Sequence, residues 1–222
     1  MIPKKHKVDI DPNNKALTKK FNQFNISPRN IENILKILKK YDYENRPRKV
    51  NINGKIIYKY KKLHDEPEKS INELETLINK PEKTYKFENF IKTSLGYLLN
   101  NGVKVTIKDI NVDLSGQWDH RNKTILINKD VFKEGTKRFA YLLSHEMIHV
   151  SQSCKGGGIS SYPVLIGLKI EKPKSFYFKN LESSAYNDYK ENEIMLELEA
   201  YSNQEDIFKT LKIFKYFCLK QK

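Results

Sequence analysis

The sequence contains little cysteine and no long apolar run. Cys154 and Cys218 are the only two cysteines in 222 residues, too few for the disulfide framework of a small secreted domain. We expect both to be reduced thiols rather than a bridge. No apolar stretch reaches the roughly 18 residues that cross a bilayer, and residues 1–20 lack the apolar segment of a secretory signal. The expected location is the cytoplasm, or the plastid stroma if the gene is plastid-borne.

Arginine is also scarce, although the chain is strongly basic. The net charge is +14, and only five of the 41 basic residues are arginine. Arginine makes most bidentate contacts to phosphates and bases, so a lysine-rich surface is weak evidence for a nucleic-acid partner. We interpret most lysines as a solvated surface and keep binding of nucleic acid or another polyanion as the alternative function.

Apolar periodicity and turn residues predict four strands, two of which form a hairpin. VNINGKIIYKY (50–60) is typical of a hairpin that turns at Asn53-Gly54. VKVTI (103–107) alternates apolar and polar residues, and TILIN (124–128) has the β-branched composition of a strand. These strands predict a small antiparallel or mixed sheet.

Helical spacing of apolar residues predicts helices before, between and after the strands. Three of them cover about residues 136–153, 191–203 and 205–219. Together with the strands, they predict an α+β fold. We divide the chain into a basic and partly flexible N-terminal accessory segment, residues 1–65, and a main domain, residues 66–222.

One short motif in the third quarter of the chain is typical of a metal site. HEMIH places His145 and His149 four residues apart in a predicted helix, so both imidazoles lie on one face and can bind one ion. Glu146 is adjacent, where a carboxylate reaches a metal-bound water and takes its proton. The surrounding residues are apolar, and polar groups on a buried helix need partners. The motif predicts a zinc site with two histidine ligands and Glu146 as general base.

Two histidines do not complete a zinc site, and no histidine follows His149. Zinc peptidases with the pattern HExxHxxGxxH use a third histidine, but this chain has Gln152 and Lys155 at the glycine and final histidine positions. The third ligand is therefore expected to be a downstream carboxylate, or less often Cys154. The candidate carboxylates are Glu171, Glu182, Asp188, Glu191, Glu193, Glu197, Glu199, Glu205 and Asp206.

HEMIH followed by EAYSN at residues 199–203 resembles the gluzincin class of zinc metallopeptidases, in which a second helix carries E-A-x-S-D. The resemblance implies that residues 66–222 form a zincin-like catalytic domain with Zn²⁺ as cofactor. It also implies hydrolysis of peptide bonds by a Glu-activated, zinc-bound water. It makes Glu199 the third ligand and Asn203, in place of the family's aspartate, a hydrogen-bond partner of a ligand histidine. Glu197 lies about 200° round the helix from Glu199, so both cannot face one ion. Glu197 or Glu193 is the alternative ligand.

A second resemblance is carried by HEMIHVSQSCK, which is similar to HELIHxxxxCR in the mitochondrial peptidase family that processes an ATP synthase subunit. Cys154 and Lys155 stand where that family has Cys-Arg, whereas its other cysteines have no counterpart here. The two resemblances together cover about residues 103–205.

The resemblance implies a protein or peptide substrate, and we expect TILIN to bind it. In zincins, a strand just before the metal-binding helix tends to form the sheet edge above the cleft. An edge strand offers unpaired backbone groups to which an extended peptide can add. Ile125, Leu126 and Ile127 are therefore the predicted substrate-binding residues. A tyrosine is expected to stabilise the oxyanion, and the candidates are Tyr186, Tyr189 and Tyr201.

Overall fold

The computed structural model describes residues 23–62, 68–110, 114–171 and 190–219. The first half of the chain contains β1 (Gln23–Asn25), α1 (Ile31–Glu44), β2 (Arg48–Ile52), β3 (Lys55–Lys59), α2 (Ile71–Asn79) and α3 (Tyr85–Asn100). The second half contains β4 (Lys104–Lys108), β5 (Gly116–Asp119), β6 (Thr124–Asn128), a 3-10 helix (Lys129–Glu134), α4 (Thr136–Lys155), α5 (Glu191–Asn203), α6 (Ile207–Phe214) and a π-helical turn (Lys215–Leu219). The predicted α+β class is confirmed.

The main sheet has the strand order β1-β4-β6-β5. β4 and β6 are parallel, and the two outer strands are antiparallel to their neighbours. Val105 lies opposite Ile125 and Ile107 opposite Ile127, and all four side chains are buried in the core. Alternate residues of both strands therefore bury one face of the sheet beneath the helices.

The prediction that β6 is an edge strand is wrong. β6 pairs with β4 on one side and with β5 on the other, so the backbone of Ile125, Leu126 and Ile127 has no free edge for a substrate. The prediction failed because β5 was not recognised as a strand. β5 is one of the two edge strands of this sheet among the described residues, and β1 is the other.

The predicted hairpin is confirmed as the separate two-stranded sheet of β2 and β3. Asn53 has φ 51° and Gly54 has φ 80°, the left-handed backbone that a two-residue hairpin turn of this kind requires. Asn51 also accepts a hydrogen bond from the Gly54 N–H at 2.9 Å, which closes the turn.

Helix α4, which carries HEMIH, is the centre of the fold. It packs against α1, α3, α5, α6 and β5. Asp42 of α1 accepts hydrogen bonds from the backbone N–H of Thr136, at 2.8 Å, and from its hydroxyl. A carboxylate at this position satisfies a free N–H of the first turn and complements the helix dipole. α1 therefore fixes the start of the helix on which the histidines lie.

Elements from the predicted accessory segment contribute to the same core. β1 pairs with β4, and Ile31, Ile34, Leu35 and Leu38 of α1 pack in the core that includes α4. The division into residues 1–65 and 66–222 stays a prediction.

The two cysteines form a disulfide in the structure, which corrects the expectation of reduced thiols. The Cα atoms of Cys154 and Cys218 are 5.2 Å apart, within the usual range for a bridge. The bridge joins the end of α4 to the π-helical turn at the end of the described chain. The predicted location in the cytoplasm or plastid stroma stays a prediction. Among the described helices, none combines the length and apolar character needed to cross a membrane.

Candidate metal centre

The two histidines of HEMIH lie side by side on the buried face of α4. His145 is 5% exposed and His149 is 7% exposed. Their Nε2 atoms are 3.0 Å apart, as expected for residues one helical turn apart whose rings converge. Two imidazole nitrogens this close are stable together only when a proton or a cation lies between them.

Glu197 of α5 completes this cluster. Its Oε2 lies 3.2 Å from His145 Nε2 and 3.5 Å from His149 Nε2. The three ligand atoms therefore form a triangle with sides of 3.0, 3.2 and 3.5 Å. Tetrahedral ligands about 2.05 Å from a zinc ion are about 3.3 Å from one another. The cluster has the size of three corners of a zinc tetrahedron and leaves the fourth open.

Glu199, which the resemblance made the third ligand, lies elsewhere. α5 buries the face that carries Leu196, Glu199, Ala200 and Asn203, and this rotation turns Glu197 towards the histidines. Glu199 instead accepts hydrogen bonds from Gln152 and from backbone N–H groups of residues 166–168. The candidate third ligand is therefore corrected to Glu197, the alternative that the helix geometry had left open.

The charges of the cluster are strongly coupled. Burial alone would lower the pKa of His149, but the Glu197 carboxylate outweighs burial and raises that pKa to about 9. Burial would raise the pKa of Glu197, but the histidines hold it well below its ordinary range. For His145, burial prevails and lowers the pKa. Without a metal, the cluster therefore holds a proton on His149 against a Glu197 carboxylate, and this is the place a cation would take.

Glu146 occupies a dry position beside the cluster. It is 2% exposed, and burial raises its pKa to about 8. Its Oε2 is buried and has no hydrogen-bond partner among the described residues. A buried carboxyl oxygen without a partner is costly in a structural position. Such an atom is expected where a side chain is held ready for a reacting molecule.

The edge strand β5 packs directly onto Glu146. A Cβ atom added at Gly116 would lie 2.7 Å from Glu146 Oε1 and 2.9 Å from Leu142 Cδ1. Trp118, on the same face of β5, donates from its indole N–H to Ser153 Oγ at 2.9 Å and so fixes the strand to α4. Only glycine at position 116 lets the strand approach the carboxylate this closely.

The remaining predicted site residues have other surroundings. Asn203 donates to the backbone carbonyls of Lys169 and Glu199 and accepts from Lys209, so it is not a partner of a histidine as predicted. The Tyr201 ring lies 4.4 Å from the His145 ring, which leaves it a candidate near the cluster. Four other candidates lie outside the described residues: Glu182, Asp188, Tyr186 and Tyr189.

Two residues of the site were missed in the sequence. Gln152 lies 2.7 Å from His149 Nδ1 through its Oε1, and its position three residues after that histidine was the available signal. Gly116 was missed because β5 has only four residues and no clear alternation.

The residues present fit a zinc ion. Two imidazoles and one carboxylate are a common ligand set of catalytic zinc sites, which keep a fourth position open. A cation would replace the proton held among the three ligands. A water bound to that cation would give the unpartnered oxygen of Glu146 a hydrogen-bond donor. Comparisons with protein-family models, curated proteins and solved structures found no match to this chain.

Proposed function

We propose that the chain is a zinc-dependent peptidase with a zincin-like catalytic centre. His145, His149 and Glu197 hold the ion, and Glu146 is the general base. The observation that carries the proposal is the convergence of three ligand atoms within 3.5 Å of one another beside a buried carboxyl group with an unpartnered oxygen. The resemblance of HEMIH to the zinc peptidases supports the same chemistry.

Zinc, when bound, supplies a Lewis acid that acidifies water and polarises the scissile carbonyl group. Burial raises the pKa of Glu146 to about 8, and beside a bound cation its carboxylate would be ionised near neutral pH. Glu146 then accepts a proton from the attacking water and passes it to the nitrogen of the leaving amine. Its dry surroundings suit proton transfer, because no bulk water competes for the carboxylate.

We assign the binding of an extended substrate to β5 instead of β6. β5 pairs only with β6 among the described residues and packs against Glu146 at Gly116. An extended peptide that adds to its free edge would lie along the side of the sheet nearest the general base. The substrate class is therefore a flexible segment of a protein or a peptide.

The test compares zinc content and hydrolysis of a fluorescently labelled unfolded protein in the wild type and in Glu146→Gln. We expect about one zinc per chain in both proteins, with activity reduced by about 10²–10⁴-fold in the variant because it lacks the base. The matched control is Glu191→Gln, which makes the same chemical change at an exposed position on α5.

Wild-type activity in the control would show that the loss belongs to Glu146. A wild type that neither contains nor takes up zinc, or equal hydrolysis by wild type and Glu146→Gln, would contradict the proposal. The alternative function, binding of nucleic acid or another polyanion, stays a prediction. Salt-dependent binding to DNA or RNA that a chelator does not affect would support it.

A further inference from the structure

Glu199 is a fully buried carboxylate that accepts four hydrogen bonds. Its residue exposure is 0%. Oε1 accepts hydrogen bonds from the backbone N–H groups of Gly167 and Leu168, both at 2.7 Å. Oε2 accepts from the backbone N–H of Ile166 and from Gln152 Nε2, both at 2.9 Å. Four donors use the acceptor sites of an ionised carboxylate, so none is left for a metal.

Gln152 connects this carboxylate to the metal centre. Its Nε2 donates to Glu199 and also to the backbone carbonyl of Leu196 at 3.1 Å. Because both partners are acceptors, the amide nitrogen must face them and the amide oxygen must face His149. That oxygen lies 2.7 Å from His149 Nδ1, which therefore carries a proton and donates it. The other ring nitrogen, Nε2, faces the remaining candidate ligands.

We propose that Glu199 is a positioning residue of the metal centre, which acts on His149 through Gln152 and holds residues 166–168 against the same site. This inference rests on the proposed function, because it identifies Nε2 of His149 as the metal-binding nitrogen. The partner of the second ring nitrogen sets the tautomer and basicity of a ligand histidine. One buried carboxylate thus fixes both a ligand and a backbone segment beside it.

The other histidine gives an internal comparison. His145 Nδ1 is buried and has no hydrogen-bond partner among the described residues. The series of hydrogen bonds from Glu199 through Gln152 therefore reaches His149 and not His145. A change at Glu199 should alter the ring protons of His149 and leave those of His145 nearly unchanged.

Glu199→Gln interrupts this series of hydrogen bonds and keeps the size of the side chain. The new amide can accept from Gly167 and Leu168 through its oxygen, which turns its NH₂ group towards Gln152. Two NH₂ groups would then face each other, so Gln152 must rotate and present its own NH₂ to His149. His149 Nδ1 then loses its acceptor. In the neutral ring the proton moves to Nε2, the nitrogen that the metal needs, and in the protonated ring the Nδ1–H is left without a partner.

The double variant Gln152→Glu/Glu199→Gln restores the acceptor for His149. A carboxylate at position 152 accepts from His149 Nδ1 and from the amide at position 199. Two bonds are not restored: an amide nitrogen now faces the Ile166 N–H, and a carboxylate at position 152 cannot donate to the Leu196 carbonyl. The double variant therefore separates an effect on the histidine from a merely structural effect on residues 166–168.

The experiment measures two quantities in wild type, Glu199→Gln, the double variant and the exposed control Glu191→Gln. The first is the Zn²⁺ dissociation constant, from competition with a chelator. The second is the His149 Nδ1–H signal in ¹⁵N–¹H NMR of the metal-free protein. We expect Glu199→Gln to bind Zn²⁺ about 10–100-fold more weakly and to lack the protected Nδ1–H signal. The double variant and the control should resemble the wild type in both.

A double variant as weak as Glu199→Gln would overturn the proposal, because Glu199 would then act only by holding the backbone. Wild-type zinc affinity in Glu199→Gln would also overturn it. If Glu199→Gln does not fold, the double variant decides alone, since wild-type affinity supports the proposal and weakened affinity overturns it.

A wild type that binds no Zn²⁺ would remove the proposed function, and the ring-proton signal would then decide the inference separately. A protected His149 Nδ1–H in wild type and double variant, lost in Glu199→Gln, would still support the positioning role. The same signal in all three proteins, or in none, would overturn it.

Discussion

Glu197 and Glu199 lie two residues apart on α5 and differ in their exposure and in their hydrogen-bond partners. Glu197 meets the two histidines, and its side chain is 13% exposed. Glu199 is fully buried and accepts four N–H donors. A carboxylate with every acceptor site in use has no lone pair for a cation, whereas one that faces only imidazoles keeps them. Saturation with hydrogen bonds, rather than burial alone, separates the positioning carboxylate from the candidate ligand.

The largest difference between the two should be in zinc affinity. Glu197→Gln removes a charged ligand, so we expect a loss of affinity well beyond the roughly 10–100-fold range of residues that act through a ligand. The fold should remain, because the histidines can release the proton that they share. Zinc titration with circular dichroism on the same samples checks both points. Equal or smaller weakening than in Glu199→Gln would reverse the assignment of the two carboxylates.

The second difference should be in stability without metal. Glu199→Ala leaves the N–H groups of Ile166, Gly167 and Leu168 without their acceptor, which we expect to cost about 3 kcal/mol. The melting temperature should fall by roughly 6–12 °C for a chain of this size. Glu197→Ala, measured alongside by thermal unfolding in chelator, should cost less. A larger loss for Glu197→Ala would mean that the cluster holds the fold together more than the buried carboxylate does.

A smaller effect should appear in the pH dependence of the metal-free protein. The pKa of His149 is raised to about 9, so its contribution to stability is complete below its unfolded value of about 6.5 and is lost as pH rises through 9. The raised pKa of Glu146, about 8, acts in the same direction because the buried carboxyl must ionise. We therefore expect a melting temperature a few degrees lower at pH 9 than at pH 6.5.

Glu197→Gln provides the control for that measurement, because the carboxylate that raises the pKa of His149 is gone. Its melting temperature should depend less on pH over the same range. Identical pH profiles for the variant and the wild type would show that the Glu197–His149 pair does not carry the effect.

The smallest effect is expected for a carboxylate outside the cluster. Asp42→Ala removes the acceptor at the start of α4 and should cost about 1–2 kcal/mol, measured by urea unfolding. Zinc affinity should stay at the wild-type value, since Asp42 has no contact with the ligands. A loss of affinity comparable to that of Glu199→Gln would show that any weakening of α4 disturbs the site.

The sequence predicted the helix of the site well and its partners less well. The bounds of α4 and α5 and the hairpin at Asn53-Gly54 follow from local signals: apolar spacing, a glycine stop and a turn that needs positive φ. His145 and His149 converge because both lie on one helix, where four-residue spacing determines the geometry. These features depend on residues close together in the chain.

The choice between Glu197 and Glu199 depends on how α5 is rotated against α4, which local spacing did not determine. Apolar residues occur on several sides of α5, so the buried face that contains Leu196 and Ala200 was not evident. The order of the sheet was likewise hidden, because β5 is short and contains Gly116. The rotation of α5 and the order of the strands both depend on contacts between residues that are far apart in the sequence.

The most direct test of the metal centre is anomalous diffraction at the zinc absorption edge from crystals of the zinc-loaded protein. We expect one anomalous peak, bonded to His145 Nε2, His149 Nε2 and an oxygen of Glu197 at about 2.0–2.2 Å. Glu199 should remain hydrogen-bonded to Gln152. A peak bonded to Glu199, or no peak at the histidines in crystals that contain one zinc per chain, would contradict the account.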